Sequence, residues 1–312
     1  MTKTGKKQSK TKAKKILGYK VFLLALPGII LVFLFHYLPL WGWSFAFFQY
    51  KPGKSVFECK FVGWQYFQEL FGNKVMRENL IRVLRNTFGI HLLGYLFSPL
   101  PMLFAICLSE MKSKHFKNLV QTVTTLPNFI GWVIMLSLAM GIFGYNGLIN
   151  TVLMKWGWID TPITILNSDK HVWLTQVLLQ QWKGLGWSAI IYFAAIAGLD
   201  QEIYEAAEVD GAGRWQKIWY ITIPQLIPTY FVLLIMSIGN FLNNGVDQFL
   251  AFGNSLNKEY IEVLDLYVYN LGIGNGQISY SVAVGIMKSV VALLLFSTAN
   301  YASKKVRGTS VF

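Results

Sequence analysis

Charge is scarce in this 312-residue chain: Asp, Glu, Lys and Arg together supply 14% of it, whereas apolar residues supply 54%. A soluble domain carries about a quarter of its residues charged, so a chain this apolar requires lipid around it. Acids are scarcer still, 15 against 28 Lys and Arg. The basic surplus lies in loops between apolar runs, the pattern of membrane spans rather than of a nucleic-acid binder, so no nucleic-acid partner is expected. Cysteine is nearly absent, and Cys59 and Cys107 fall on opposite sides of the membrane in the topology below, which leaves no disulfide to expect. No Gly-x-x-x-x-Gly-Lys-Ser/Thr phosphate loop occurs, so the chain cannot hydrolyse ATP itself. His-Glu-x-x-His, Gly-x-Ser-x-Gly and Cys/His metal clusters are also missing, and no carboxylate or nucleophile cluster lies within the apolar runs. These absences exclude the membrane-embedded enzymes that such groups would build; no catalytic residue, cofactor or metal is expected on this chain.

What is present is six apolar runs long enough to cross a bilayer, which takes about twenty residues. They span roughly 19–45, 84–108, 119–143, 172–199, 226–250 and 281–302. The expected fold is an all-α, multi-pass membrane protein of about six transmembrane helices over residues 19–302. A basic tail at 1–18 precedes them and a second short tail at 303–312 follows. Eight lysines crowd the first twenty residues with no acid among them, and the apolar run behind them is too long for a cleaved signal. Further basic residues at Lys112, Lys114, Lys117, Arg214, Lys217, Lys304, Lys305 and Arg307 lie on the same side as that tail. The positive-inside rule then puts both termini in the cytoplasm and the aromatic, amphipathic stretch from Gln49 to Arg82 outside.

The segment after the fourth run is expected to carry function. Tyr204 to Gly213 reads as a short acidic helix broken at Gly211 and Gly213, followed by a second amphipathic helix ended by Pro224. Such a helix pair, within a loop of residues 200–224, makes a docking surface for a soluble partner. Its spacing is Glu-Ala-Ala, three residues, Gly, nine residues, Ile, one residue, an apolar residue and Pro. Glu205, Ala206, Ala207, Gly211, Ile221, Ile223 and Pro224 fill those places, with Asp210 inside the turn.

This spacing resembles the EAA loop of binding-protein-dependent ATP-binding-cassette (ABC) importer permeases. Other stretches are similar to the carbohydrate branch of that family, and within it to permeases for complex polysaccharides. They include His36 to Pro39, Leu84 to Thr87, Leu126 to Phe129, Tyr145 to Asn150 and Gly285 to Ser289. The resemblance implies a type I ABC importer permease fold in the cell (plasma or inner) membrane. It implies as partners a second homologous permease subunit, two ATP-binding subunits that hold ATP and Mg, and an extracellular substrate-binding lipoprotein that delivers an oligosaccharide. The remaining partner is membrane lipid. A permease for a non-sugar solute and a self-contained secondary transporter stay open as alternatives, though the latter needs inverted repeats that the sequence does not show.

Two polar stripes mark a candidate substrate path. In the fifth run Ser237, Asn240, Asn243, Asn244 and Asp247 recur at helical spacing, and such groups cannot face lipid cheaply. The asparagines resemble sugar-contacting ones in maltose-type permease subunits. In the fourth run Gln176, Gln180, Lys183 and Trp187 form a matching stripe, with Gln181 and Trp182 beside it. The competing reading of both is polar glue between helices. Lys288 is too deep to stand alone, and Asp247 is its expected counter-ion; His36 and His91 are assigned no role.

Overall fold

The computed structural model describes residues 21–307. The tail expected over 1–18 lies outside them. Every regular element among the described residues is helical, apart from a single isolated bridge between Phe48 and Phe61.

Helix α1, Val21–Phe47, is apolar apart from His36 and Ser44, and Leu24 is 85% exposed, as a lipid-facing side chain would be. Its turns widen at Phe33–Tyr37 and tighten from Leu38 onward. Pro39 explains the change, because proline removes a donor and crowds the carbonyl four residues back. An amphipathic helix α2, Gln65–Gly72, leads to α3, Lys74–Phe97, whose N-cap Asn73 accepts from the amides of Val75 and Met76. Pro99 separates α3 from α4, Leu100–Ser109, whose first turn holds Pro101, and the two helices together make one 36-residue span. This second span therefore begins ten residues before Leu84, because α3 continues as a charged helix past the apolar run.

The third run, expected as one helix, is two. Helix α5, Lys114–Thr125, and helix α6, Trp132–Phe143, flank a break at Leu126–Ile130 where Pro127 interrupts the ladder. Helix α7, Leu148–Lys155, extends the α6 span, and Asn150 binds the surrounding loop. Its amide donates to the carbonyls of Gly144, Tyr145 and Ile163 and accepts from the Ile163 amide at 2.9 Å. Helix α8, Val172–Ala197, is followed by α9, Gln201–Val209, which departs at 69°. Helix α10, Arg214–Lys217, runs through a widened turn at Ile218–Thr222 into α11, Ile223–Gly239. Pro224 thus does not end a helix as expected: it lies in the first turn of α11, where the widened turn frees it from the amide it lacks. Three short helices follow, α12 Asp247–Phe252, α13 Lys258–Ile261 and α14 Leu264–Tyr269, before α15, Ile278–Arg307. That last helix continues into the region expected as the 303–312 tail.

Among the described residues five helical segments are long and apolar enough to cross a membrane, and α8 with the bent α9 makes a sixth. Helix α8 is the centre of the bundle and packs against α3, α4, α5 and α11. Gly186 permits this, since a Cβ there would stand 2.4 Å from the backbone of Thr124 on α5. One apolar core gathers Ile90, Val177, Phe249 and Phe252; another, nearer α9, gathers Ala105, Ala189, Tyr192 and Leu226. The 257–270 segment is tied to α3 by polar contacts. Buried Asn86 donates to the carbonyls of Glu259 and Glu262 at 2.8 and 3.0 Å, Thr87 accepts from the Leu264 amide, and Arg82 pairs with Glu262 at 2.6 Å.

Candidate functional site

Two sites lie along α8. At one end α9, the turn and α10 form a projecting foot. Asp200 caps α9 by accepting from the Glu202 amide, and the chain reverses through Gly211 at φ +79°, a conformation that favours glycine. The Ala212 amide returns to the Ala207 carbonyl at 2.8 Å, closing the helix end. Lys217 reaches Glu208 at 3.1 Å, and the Tyr204 hydroxyl meets that of Thr222 at 2.9 Å, so the two arms are braced against each other. Arg214 ties the foot to the end of α4 through the carboxylate of Glu110 at 2.9 Å and through its carbonyl. Between the arms lies a shallow hollow of about 380 Å³ lined by Ala207, Asp210, Gly211, Tyr220 and Ile221 among others. Glu205, Ala206 and Pro224 are exposed on the foot, and Val209, Trp215 and Tyr220 are each more than 70% exposed. Exposed aromatic surface of this kind, beside acids, suits a protein partner.

Against the middle of α8, from Gln180 to Tyr192, a cavity of about 690 Å³ opens between α3, α8 and the second half of α11. Its size falls in the range of small-molecule sites. Gln180 and Trp187 from α8 and Ser237, Asn240, Asn243 and Asn244 from the end of α11 and beyond all line it, so the structure gathers six of the nine residues of the two stripes. Its lining contains no Lys, Arg, Asp or Glu. Most of its polar groups are amides, hydroxyls and one imidazole.

The asparagines do not form the helical stripe their spacing suggests. Helix α11 stops at Gly239, and Asn240 to Gly245 turn back over its end. The Asn243 amide bonds to the Asn240 carbonyl at 2.8 Å, and Gly245 takes φ +75°. A Cβ at Gly239 would meet the Phe296 ring at 2.8 Å, and the asparagine and glycine residues beyond it favour a turn. Asp247 consequently begins a new helix, is exposed, and does not line the cavity.

Lys183 is also absent from the lining. Its ammonium donates to the carbonyls of Pro127, Asn128 and Ile130 at 3.1, 2.7 and 2.8 Å, the acceptors released where α5 gives way to α6. Gln176 is buried and occupied by Gln248, whose side-chain amide donates to it at 2.8 Å; Trp182 packs into the first apolar core. The expected pairing of Lys288 with Asp247 does not occur. Lys288 pairs with Asp265 on α14, whose other oxygen accepts from the Gly245 amide at 3.1 Å. The loop after α11 carries Asp247 away from α15, while α14 folds back against it.

Sequence reasoning missed one wall of the cavity. His91, Tyr95 and Ser98 on α3 line it at helical spacing, and their i, i+4, i+7 pattern was the available signal. The Tyr95 hydroxyl donates to the Ser237 carbonyl at 3.3 Å, and Ser98 and Tyr230 share a 2.8 Å hydrogen bond. His91 stacks on Phe241 with centroids 4.7 Å apart. Two buried polar atoms of cavity-lining residues, His91 Nε2 and Asn244 Nδ2, have no hydrogen-bond partner among the described residues.

Comparison with known proteins bears on the chain as a whole. Residues 98–308 match the model of the family described as binding-protein-dependent transport system inner membrane component. Protein LplB of Bacillus subtilis (strain 168) is 39% identical over 295 residues, covering 94% of this chain and 91% of its own length. The polygalacturonan/rhamnogalacturonan transport system permease protein YteP of the same organism is 38% identical over 287 residues, covering 91% and 88%. Among solved structures, a chain of a bacterial ABC transporter involved in import of the acidic polysaccharide alginate superposes with a TM-score of 0.81. It is 30% identical and covers 96% of this chain and 99% of that one. A chain of the bacterial alginate ABC transporter in complex with alginate pentasaccharide-bound periplasmic protein superposes with a TM-score of 0.80, at 32% identity over 94% and 96%.

Proposed function

The chain belongs to the binding-protein-dependent transport system inner membrane component family, and from that premise we propose that its cavity passes an oligosaccharide while its foot couples to an ATPase. It is a non-catalytic permease subunit of an ABC importer. The observation that carries the cargo reading is the cavity itself: neutral amides and hydroxyls, an exposed Trp187, and no fixed charge in the lining. Sugar hydroxyls pair with amides, and aromatic faces cover the apolar faces of sugar rings. The named relatives and structural neighbours that handle polygalacturonan, rhamnogalacturonan and alginate support the same class.

The foot supports a second part of the reading. Glu205, Ala206, Ala207, Asp210, Gly211, Ile221 and Pro224 present a braced helix-turn-helix away from the span, the shape a cleft in a soluble ATP-binding subunit would accept. Two such subunits hold ATP and Mg; a second homologous permease closes the open side of the cavity; an external binding lipoprotein delivers the glycan at the end opposite the foot. Both termini then lie in the cytoplasm with the foot.

Replacing Asn240 and Asn244 together by leucine removes two amides from the cavity without adding strain to a helix. Uptake of labelled oligosaccharide per assembled complex is expected to fall at least tenfold, on the order of two lost hydrogen bonds at about 1 kcal/mol each, with basal ATPase activity retained. Uptake per complex equal to wild type would reduce the asparagines to structural glue.

A further inference from the structure

A second groove lies on the outside of the bundle, between α3 and the beginning of α8, at the end away from α9. It has a volume of about 610 Å³ and is lined by Arg85, Leu93, Lys170, Trp173, Leu174 and Tyr260 among others. It is separate from the asparagine-lined cavity, which α3 meets with His91, Gly94 and Tyr95 instead.

Position decides what can fill it. Helix α3 carries Lys74, Arg77, Glu78, Arg82 and Arg85 within its first half, and from Thr87 to Phe97 it has no Asp, Glu, Lys or Arg. Arg85 therefore stands where the helix enters the hydrocarbon, at the level of lipid headgroups. From Arg85 to Leu93 the groove descends about 12 Å into the membrane, at 1.5 Å per residue. Beside it Leu92 and Leu96 on α3 are 63% and 71% exposed, and Leu178 on α8 is 48% exposed, so this face looks toward acyl chains.

Charge decides what kind of molecule. Arg85 lies over the Tyr260 ring at 5.5 Å, and neither Arg85 nor Lys170 forms an ion pair among the described residues. Asp169, also in the lining, offsets one of the two cations, which leaves the mouth with a surplus of positive charge. Trp173 is held in place by donating to the Tyr260 carbonyl at 3.0 Å, and its ring fills the space left by Gly89. A cationic rim carrying Trp and Tyr above an apolar trough is complementary to a lipid with an anionic head.

We propose that this groove binds an anionic phospholipid, its phosphate between Arg85 and Lys170 and an acyl chain along Leu93 and Leu174. The inference does not rest on the identity of the cargo. The test is native mass spectrometry of the purified complex, titrated with phosphatidylglycerol or phosphatidylcholine. The wild-type complex is expected to retain phosphatidylglycerol over phosphatidylcholine, and Arg85→Ala/Lys170→Ala to bind it about thirtyfold more weakly, from two lost surface cations. Arg85→Lys keeps the charge and is expected to keep the preference. Leu93→Trp fills the trough while leaving the rim intact, and is expected to expel the lipid even if the double alanine variant fails to assemble. Equal retention of both lipids by wild type, or phosphatidylglycerol retention by Leu93→Trp at the wild-type level, overturns the assignment.

Discussion

Replacing Lys183 by methionine separates a path role from a structural one at a single atom. Methionine preserves the length and most of the volume of the side chain but offers no donor. Three carbonyls, those of Pro127, Asn128 and Ile130, would then lose the N–H groups that now reach them at 3.1, 2.7 and 2.8 Å. An acceptor left without a partner inside a protein costs roughly 1 kcal/mol or more, so the three together cost about 3 kcal/mol. Removal of the ammonium from over the Trp132 ring, 5.5 Å away, acts in the same direction. At roughly 2 to 4 °C per kcal/mol for a domain of this order of size, the complex is expected to melt about 6 to 12 °C lower. Fluorescence-detected size-exclusion chromatography after a temperature ramp reads this directly. Uptake per surviving complex is expected to stay at the wild-type value, and Lys183→Arg, which keeps several donors, to recover part of the loss. An unchanged melting temperature combined with lost uptake per complex would refute the reasoning and return Lys183 to the substrate path.

Asp265→Asn keeps an acceptor for the Gly245 amide but strands Lys288, which is 17% exposed; a loss of about 3 kcal/mol is expected, with Asp265→Asn/Lys288→Met more stable than the single variant. Thermal melting of the three proteins checks it, and strictly additive losses would show that the two side chains are not coupled. Glu205→Lys and Gly211→Asp are each expected to abolish uptake with the permease still assembled in the membrane, the second because aspartate is strained at φ +79°. Co-purification of the ATPase at wild-type levels together with normal uptake in either variant would count against the foot. A variant retaining only Cys59 is expected to react with a membrane-impermeant thiol reagent in intact cells, and reaction only after permeabilisation would invert the proposed orientation.

The turn of the foot was legible because most of what shapes it is local, although its tie from Arg214 to Glu110 and the place of Pro224 inside α11 were not. Glu205 to Pro224 folds on itself, and the turn at Gly211 needs only the glycine that stands there. The cavity was partly legible, since polar residues in an apolar chain must turn from lipid wherever the backbone goes. The backbone itself was misread where apolar composition outlasted the helix. The run to Leu250 is greasy enough to span, yet Asn243, Asn244 and Gly245 form a turn that composition alone outvotes. Charges deep in the spans were least legible. Lys183 binds carbonyls more than fifty residues back in the chain, and Lys288 meets an acid on a helix that only the folded loop brings near. Spacing along one helix carries no record of either partner.

The close approach at Gly186 has a mechanical consequence for α8. Where the backbones of α8 and α5 touch, neither can yield, so the contact serves as a fulcrum near the middle of a rigid beam. Ala197, at the foot, lies about 17 Å to one side of it, and Val172 about 21 Å to the other, at 1.5 Å per residue. A tilt of about 5° imposed at the foot would displace those ends by roughly 1.5 and 1.8 Å in opposite directions, while Trp187 beside the pivot stays nearly still and Gln180 swings with the far arm. A larger residue at 186 would not merely crowd the bundle; it would move the point about which the two ends trade their motion.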